Sequence, residues 1–290
     1  MNRTCFLLSL FLLAQSAMAQ DKPAYQLFNK EGKTVKYKKL LAAASEADVI
    51  FFGELHNNPV AHWLQLELAR GLLQEKGEAL VLGAEMFEAD NQMLIEEYFD
   101  STITAKAFEE EARLWKNYKT DYKPLLELAR ENGLRFVATN IPRRYANLTY
   151  REGFEGLEKL PEAARQYIAP LPFPFDIELP GYKSMMEMMA GHGGEEANEN
   201  FPKSQAAKDA TMAHFISRNW APGKTFIHFN GSYHSNDFEG IVWYLRQYEP
   251  EAGILTITTV EQAELSDLEE ENRGKADFIL VIDEDMTKTY

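Results

Sequence analysis

Six apolar runs along the chain have the length and density of buried strands. They cover residues 48–54, 79–87, 135–140, 225–230, 253–260 and 277–282. Between them, apolar residues recur with helical spacing, as on the helix predicted over 59–74, where Val60, Leu64 and Leu68 share one face. Further helices are predicted over 37–45, 91–99, 124–131, 203–219 and 238–248. This alternation predicts an α/β fold with a mostly parallel central sheet that is flanked by helices.

The N-terminus has the features of a secretion signal. Arg3 supplies a positive charge, residues 5–13 are mostly apolar, and Ala17-Met18-Ala19 fits a cleavage site. The apolar run is too short to span a bilayer and no second long run follows, so we expect no transmembrane helix in the mature chain. We predict cleavage before Gln20 and export to the periplasm or the medium. The only cysteine, Cys5, is not at the cleavage point, so we predict neither a lipid anchor nor a disulfide.

The pattern changes between residues 141 and 202, where no buried strand is evident and prolines recur. We interpret this segment as a small helical insertion. The predicted organisation is therefore a signal peptide at 1–19, the first half of the α/β domain at 20–140, the insertion at 141–202, and the second half of the domain at 203–290.

The charge of the chain limits its partners. There are 30 Lys and Arg residues against 45 Asp and Glu residues, which gives a net charge of −15. Such an acidic protein is repelled by phosphate backbones and anionic lipid surfaces. We therefore expect neither nucleic acid nor anionic membrane as a partner.

Two predicted strands end in a Gly-x-x-His motif. Gly53-Glu54-Leu55-His56 ends the first strand and Gly231-Ser232-Tyr233-His234 ends the fourth. Glu85 and Asn140 lie near the ends of the second and third strands. The carboxyl ends of parallel strands meet at one edge of the sheet, where such folds bind ligands. We therefore expect these polar groups to converge.

Two histidines and two carboxylates at one edge permit different chemistry. His56, His234, Glu54 and Glu85 could bind a divalent metal ion that polarises water. The same four residues could act without a metal, with a histidine as general base beside an orienting glutamate. In a third interpretation, each residue only caps a neighbouring helix.

Polar residues on two predicted helices are candidates for supporting this site. His62 and Gln65 lie one turn apart on the helix that follows the first motif, where they either orient the site or form an exposed flank. Asp209 shares a largely apolar helix face with Gln205. Because a buried carboxylate needs a partner, Asp209 has either a structural or a site-supporting role.

The insertion carries a methionine-rich segment with two further metal-ligating residue types. Tyr182 precedes the segment, His192 follows it, and Met185 and Met189 lie within it. Methionines suit a flat apolar ligand, and both tyrosine and histidine can ligate haem iron. The alternative is a small helical core in which the methionines only fill space.

The segment Ala47–Asn58 resembles the opening motif of the ChaN-like haem-binding uptake family. Matching positions continue along the chain at His62, Gln65, Glu85, Asn140, 205–213, 231–234 and Gly240. The resemblance implies an exported haem-binding protein of haem and iron acquisition. It also implies a homodimer that can enclose a cofacial haem pair, and partnership with an outer-membrane haem transporter.

Carried onto this chain, the resemblance implies roles for individual residues. It implies Tyr182 as the iron ligand and His192 and Lys183 as partners of the haem propionates, with Met185 and Met189 beside the haem. The wider superfamily includes the Tiki proteins and the erythromycin esterases. Resemblance to these relatives implies instead a hydrolase at the strand-end site, with a metal ion in the Tiki case and with histidine alone in the esterase case.

Overall fold

The computed structural model describes residues 22–191 and 198–290. Its strands are β1 Tyr25–Asn29, β2 Val49–Glu54, β3 Leu80–Glu88, β4 Arg135–Asn140, β5 Thr225–Gly231, β6 Ile254–Gln262 and β7 Phe278–Asp283. They form one seven-stranded sheet in the order β1-β7-β6-β2-β5-β3-β4. Every pairing is parallel except that of β1 with β7. The prediction of an α/β fold with a mostly parallel sheet is confirmed.

Helices pack on both faces of the sheet. They are α1 Tyr37–Glu46, α2 Pro59–Lys76, α3 Gln92–Phe99, α4 Ala105–Glu111, α5 Lys123–Glu131, α6 Arg143–Glu152, α7 Phe154–Glu158, α8 Glu162–Arg165, α9 Pro180–Gly191, α10 Asn200–Asn219 and α11 Ile241–Tyr248. Within the described residues, none of these helices is both long and apolar enough to cross a membrane.

Strand β2 shows why its sequence is a continuous apolar run. All six of its residues are buried. Ile50 and Phe52 join one apolar core with α2 and α5, whereas Val49 and Phe51 join the core on the opposite face with α10 and α11. A strand with cores on both faces has no polar side, so alternation is lost.

Two local features differ from the predicted pattern. The edge strand β1 was not predicted, because it has only five residues and pairs with β7 alone. The helix predicted from residue 238 begins at Ile241, because Gly240 has a φ of 53°, outside the helical region. A β-carbon at Gly240 would collide with the carbonyl oxygen of His234. This close approach requires glycine.

The segment 141–202 consists of helices and connecting loops in its described part. Helix α6 packs on α10, and Ile141, Ala146 and Leu157 form a small core with Ala207 of α10. The segment therefore packs against the rest of the protein through α10. Its division from the flanking halves of the chain stays a prediction, as does the signal peptide, whose residues 1–19 lie outside the described part.

Candidate functional site

The parallel pairing of β2 with β5 brings the two Gly-x-x-His motifs side by side. Glu54 of β2 lies opposite Gly231 of β5 in the register. A β-carbon built on Gly231 would lie 2.9 Å from both Nε2 and Cε1 of His56. Glycine at this position thus lets the imidazole of the first motif lie against the backbone of the second.

Glu54 is the centre of the first cluster of this edge. It is 1% exposed, and four side chains surround its carboxylate. Oε1 accepts hydrogen bonds from Tyr122 Oη at 2.7 Å and from His56 Nδ1 at 2.9 Å, and Oε2 accepts one from Gln65 Nε2 at 2.7 Å. Burial alone would raise the pKa of Glu54, but His62 and His56 outweigh it and lower this pKa to about 2. Glu54 is therefore an anion at neutral pH.

His62 supplies a positive charge beneath His56. Its Nδ1 lies 3.4 Å from Glu54 Oε2, and its Nε2 lies 3.4 Å from Asp121 Oδ2 and 3.1 Å from the carbonyl oxygen of His56. Burial disfavours the charged ring, but the two carboxylates raise its pKa to about 9. His62 therefore fixes both the Glu54 carboxylate and the backbone of the first motif.

The second cluster is a chain of hydrogen bonds that runs from β3 to α9. Glu85 Oε2 accepts from the backbone N–H of Gly231 at 2.8 Å, and Oε1 lies 3.3 Å from His234 Nε2. His234 Nδ1 lies 2.6 Å from Asp209 Oδ1, whose other oxygen accepts from Tyr182 Oη at 2.7 Å. Burial lowers the pKa of His234, but the two flanking carboxylates raise it to about 10, and this imidazole is a cation at neutral pH.

Sequence reasoning missed several residues of this edge. Tyr122 and Asp121 lie in the π-helical turn Tyr118–Tyr122, and the ring centroid of Trp115 lies 4.7 Å from that of His56. The side chain of Asn117 donates to the carbonyl oxygen of His56 at 2.8 Å. A π turn breaks the 3.6-residue period, so the spacing of these residues carries no signal that could have marked them.

Two clefts open on either side of the strand-end edge, and we call them the polar cleft and the apolar cleft. The polar cleft has a volume of about 710 Å³ and is lined by residues that include Glu85, Glu88, Trp115, Asn140, Arg143, Tyr150 and Lys208. The apolar cleft has a volume of about 570 Å³ and is lined by residues that include Met185, Met188, Gln205, Tyr233 and Tyr290. His56, Phe201 and His234 line both clefts and form the wall between them.

The predicted haem residues occupy different environments. Met185 lines the apolar cleft, whereas Tyr182 is 3% exposed and its hydroxyl donates to Asp209. Lys183 is exposed and pairs with Glu178 at 3.1 Å. His192 lies outside the described residues, as does the side chain of Met189.

The side chains of the two clusters are not arranged as a metal site. Across residues 22–191 and 198–290, no group of three or more His, Cys, Asp or Glu side chains is arranged to hold a metal ion. His56 pairs with Glu54, whereas His234 pairs with Glu85 and Asp209. The divalent metal that the sequence allowed as an alternative thus has no support from this arrangement.

We predict that the protein loses folding stability at alkaline pH, because the positive charge of His234 is then lost. Its folded-state pKa of about 10 lies above the value of 6.5 for a free histidine. The stabilisation is therefore complete below about pH 6.5 and is lost as the pH rises towards 10. The free energy of unfolding in urea, measured between pH 6 and pH 10, should fall more steeply for the native chain than for His234→Gln.

The control for this experiment is His214→Gln, because His214 has no carboxylate partner among the described residues and its pKa is lowered by burial and Arg218. This variant should keep the native pH dependence. Parallel pH profiles for the native chain and His234→Gln would contradict the prediction.

Comparison with known proteins agrees with this architecture. Among solved structures, the chain is similar to ChaN of Campylobacter jejuni, which was solved with cofacially bound haem. The TM-score is 0.67 at 16% identity, with 89% of this chain and 96% of that chain covered. It is also similar to a succinoglycan biosynthesis protein, with a TM-score of 0.50 at 10% identity, over 85% of this chain and 90% of that chain. At such identities the similarity shows a shared fold.

A curated relative and a family match complete the comparison. The chain is 28% identical over 136 residues to the chloroplastic protein RETICULATA-RELATED 5 of Arabidopsis thaliana. That match covers 45% of this chain but spans only 18% of the length of the plant protein. Residues 40–245 match the family described as haem-binding uptake, Tiki superfamily, ChaN. The chain therefore belongs to the ChaN family of haem-binding uptake proteins.

Proposed function

We propose that this protein is an exported haem-binding protein that serves haem and iron acquisition, and that haem occupies the apolar cleft. Membership of the ChaN family supports haem binding, and the apolar cleft supports the location. Its volume of about 570 Å³ falls within the range of about 300–1,000 Å³ that is usual for cofactor sites. The export, to the periplasm or the medium, rests on the predicted signal peptide.

The chemistry of the cleft wall fits haem. Met185 and Phe201 line the cleft with apolar side chains, although Met185 is only 4% exposed. Met188 is 55% exposed at the cleft although its side chain is apolar. Tyr233 and Tyr290 add phenol groups that are 43% and 58% exposed. Exposed apolar and aromatic groups beside a cleft gain stability when a flat ligand or a second protein copy covers them. This supports a homodimer that encloses a cofacial haem pair.

Tyr182 remains our candidate for the iron ligand. In the described conformation its hydroxyl donates to Asp209, and burial together with Asp209 raises its pKa well above the usual value. Tyr182 does not line the apolar cleft in this conformation, so ligation requires it to leave Asp209 and to turn towards the haem. Asp209 then keeps His234 as its partner among the described residues. When bound, haem supplies the iron that the protein carries. The resemblance-based roles of Lys183 and His192 at the propionates, and of an outer-membrane transporter as donor or acceptor, belong to the same proposal.

We predict that Met188→Glu weakens haem binding by roughly tenfold or more, because the variant places a carboxylate in the wall that covers the haem. The measurement is a haemin titration of the purified mature chain, followed by its absorbance and by a sizing column. The matched control is Met93→Glu, since Met93 is 65% exposed on α3 outside the cleft. Equal affinities for both variants would contradict the location of haem.

The same titration tests the iron ligand. Tyr182→Phe should abolish the tyrosinate absorbance band, whereas Tyr233→Phe should keep it. The reverse result would assign the iron to Tyr233, which lines the cleft and whose hydroxyl donates to the carbonyl oxygen of Gly181.

A second candidate function is metal-free hydrolysis at the strand-end edge. The observation that favours it is the arrangement of His56, whose Nδ1 donates to Glu54 and whose side chain is 35% exposed towards the clefts. Because the Glu54 carboxylate only accepts, Nδ1 of the neutral His56 ring carries the proton. Nε2 of His56 then holds the free lone pair. Burial lowers the pKa of His56, but Glu54 and Glu85 raise it above its ordinary value, which suits a general base.

The chemistry of this second candidate is simple. Nε2 of His56 takes a proton from water, and the water oxygen bonds to the carbonyl carbon of an ester or amide. The bond to the leaving group then breaks, and the imidazolium returns its proton to the leaving atom. Glu54 holds the ring of His56 throughout, and Gln65 holds the carboxylate of Glu54.

We predict that His56→Ala lowers kcat/KM for 4-nitrophenyl esters by about 10²–10⁴-fold, which is the usual contribution of a general base. Turnover is followed by the release of nitrophenolate. His214→Ala is the matched control, because His214 lies outside both clefts. Full activity in His56→Ala, or a native rate no greater than that of buffer, would contradict this second function.

A further inference from the structure

The polar cleft contains two cations that have no carboxylate partner among the described residues. Arg143 begins α6 and is exposed, whereas Lys208 is half-buried on α10. Their neighbours of the same charge behave differently, since Arg144 pairs with Asp90 at 2.6 Å and Lys203 pairs with Glu199 at 3.4 Å. The chain has a net charge of −15, yet two cations that form no ion pair within residues 22–191 and 198–290 face this one cleft.

The carboxylates of the polar cleft do not neutralise these cations. Glu85 accepts from the backbone of Gly231 and faces His234, and Glu88 accepts from Arg113 Nε at 2.8 Å. Lys208 is near enough to Glu85 to contribute to the low pKa of that carboxyl, but it lies beyond ion-pair distance. Within the described part of the chain, both carboxylates of the cleft wall thus have other partners, and neither Arg143 nor Lys208 forms an ion pair.

Asn140 adds an independent observation. It is 8% exposed, and its Nδ2 donates to the carbonyl oxygen of Glu85 at 3.0 Å. Its Oδ1 is buried and has no hydrogen-bond partner within the described part of the protein. A buried acceptor without a partner is costly. Because the oxygens of an ionised carboxylate also only accept, the contact that fits an anion is a bridging water that donates to both groups.

Much of the remaining wall of the polar cleft is aromatic or apolar. Trp115 lies beside His56, Tyr150 is 42% exposed, and Ile141 and Phe201 also line the cleft. Asn147 and Ser204 add polar groups to this wall. A ligand that fits this wall has an apolar or aromatic body next to its charged group.

We infer that the polar cleft binds a small organic anion, whose carboxylate or phosphate group is held by Arg143 and Lys208 and whose apolar body packs on Trp115 and Tyr150. Guanidinium and ammonium groups make strong charge-assisted hydrogen bonds to both kinds of anion. That this anion is a substrate rests on the proposed hydrolase function, because the cleft places the anion beside His56. That the cleft binds the anion does not depend on hydrolysis.

The binding test uses phenylphosphonate and 3-phenylpropionate, titrated calorimetrically into the purified mature chain without haem. At least one probe should bind saturably. Arg143→Gln and Lys208→Gln should each raise its Kd by about tenfold, as expected when a hydrogen bond to a charged group is lost. The matched controls Arg144→Gln and Lys203→Gln remove the same charge from the same two helices and should leave Kd unchanged. Thermal unfolding of each variant checks that all four are folded.

A second measurement separates this inference from the hydrolase proposal. The native chain should hydrolyse the mono-4-nitrophenyl ester of terephthalic acid, whose carboxylate cannot reach its own ester, faster than 4-nitrophenyl benzoate. Arg143→Gln should remove that preference, whereas Arg144→Gln should keep it. If a probe binds through Arg143 and Lys208 but neither ester is hydrolysed, the hydrolase function fails and the anion site stands.

Three results would overturn the inference. The first is the absence of saturable binding of both probes. The second is an equal loss of affinity in the control variants. The third is a loss of haem affinity in Arg143→Gln and Lys208→Gln with no effect on the probes, which would assign the two cations to the carboxylates of haem.

Discussion

The burial of two carboxylates at the end of a parallel sheet constrains the rest of this site. Glu54 and Glu85 are almost inaccessible to solvent, and a buried anion requires a positive partner and hydrogen-bond donors. The two Gly-x-x-His motifs meet part of this requirement, since each places an imidazole beside one carboxylate. Tyr122 of the π turn and Gln65 of α2 donate further hydrogen bonds to Glu54, and the backbone N–H of Gly231 donates to Glu85. The β2–β5 register, with Gly231 against His56, makes the arrangement sterically feasible.

The clefts of the two proposed activities share a wall, and contacts through this wall link the two sites. A chain of contacts runs from Tyr182 through Asp209 and His234 to Glu85, and therefore joins α9 to the strand-end edge. If Tyr182 ligates iron, Asp209 loses a hydrogen bond and the charge balance around His234 changes. Haem bound in the apolar cleft would then change the electrostatic environment of His234, which also lines the polar cleft.

Much of the fold could be predicted from the sequence because buried parallel strands are continuous apolar runs, as in β2 and β5. The convergence of Glu54, His56, Glu85 and His234 followed from the same pattern, since parallel strands end at one edge. Other features left no local signal. Tyr122 reaches Glu54 from a turn that breaks helical periodicity, and the short edge strand β1 is defined by its pairing with β7. The bond of Tyr182 to Asp209 depends on the packing of α9 against α10, which sequence spacing does not encode.

The most direct test of the central claim is a crystal structure of the haem-loaded protein, with the iron located by its anomalous scattering. The account predicts iron in the apolar cleft, with Met185 and Met188 against the haem and the ring of His56 still held by Glu54. Haem in the polar cleft against Arg143 and Lys208, or on a surface away from both clefts, would contradict it.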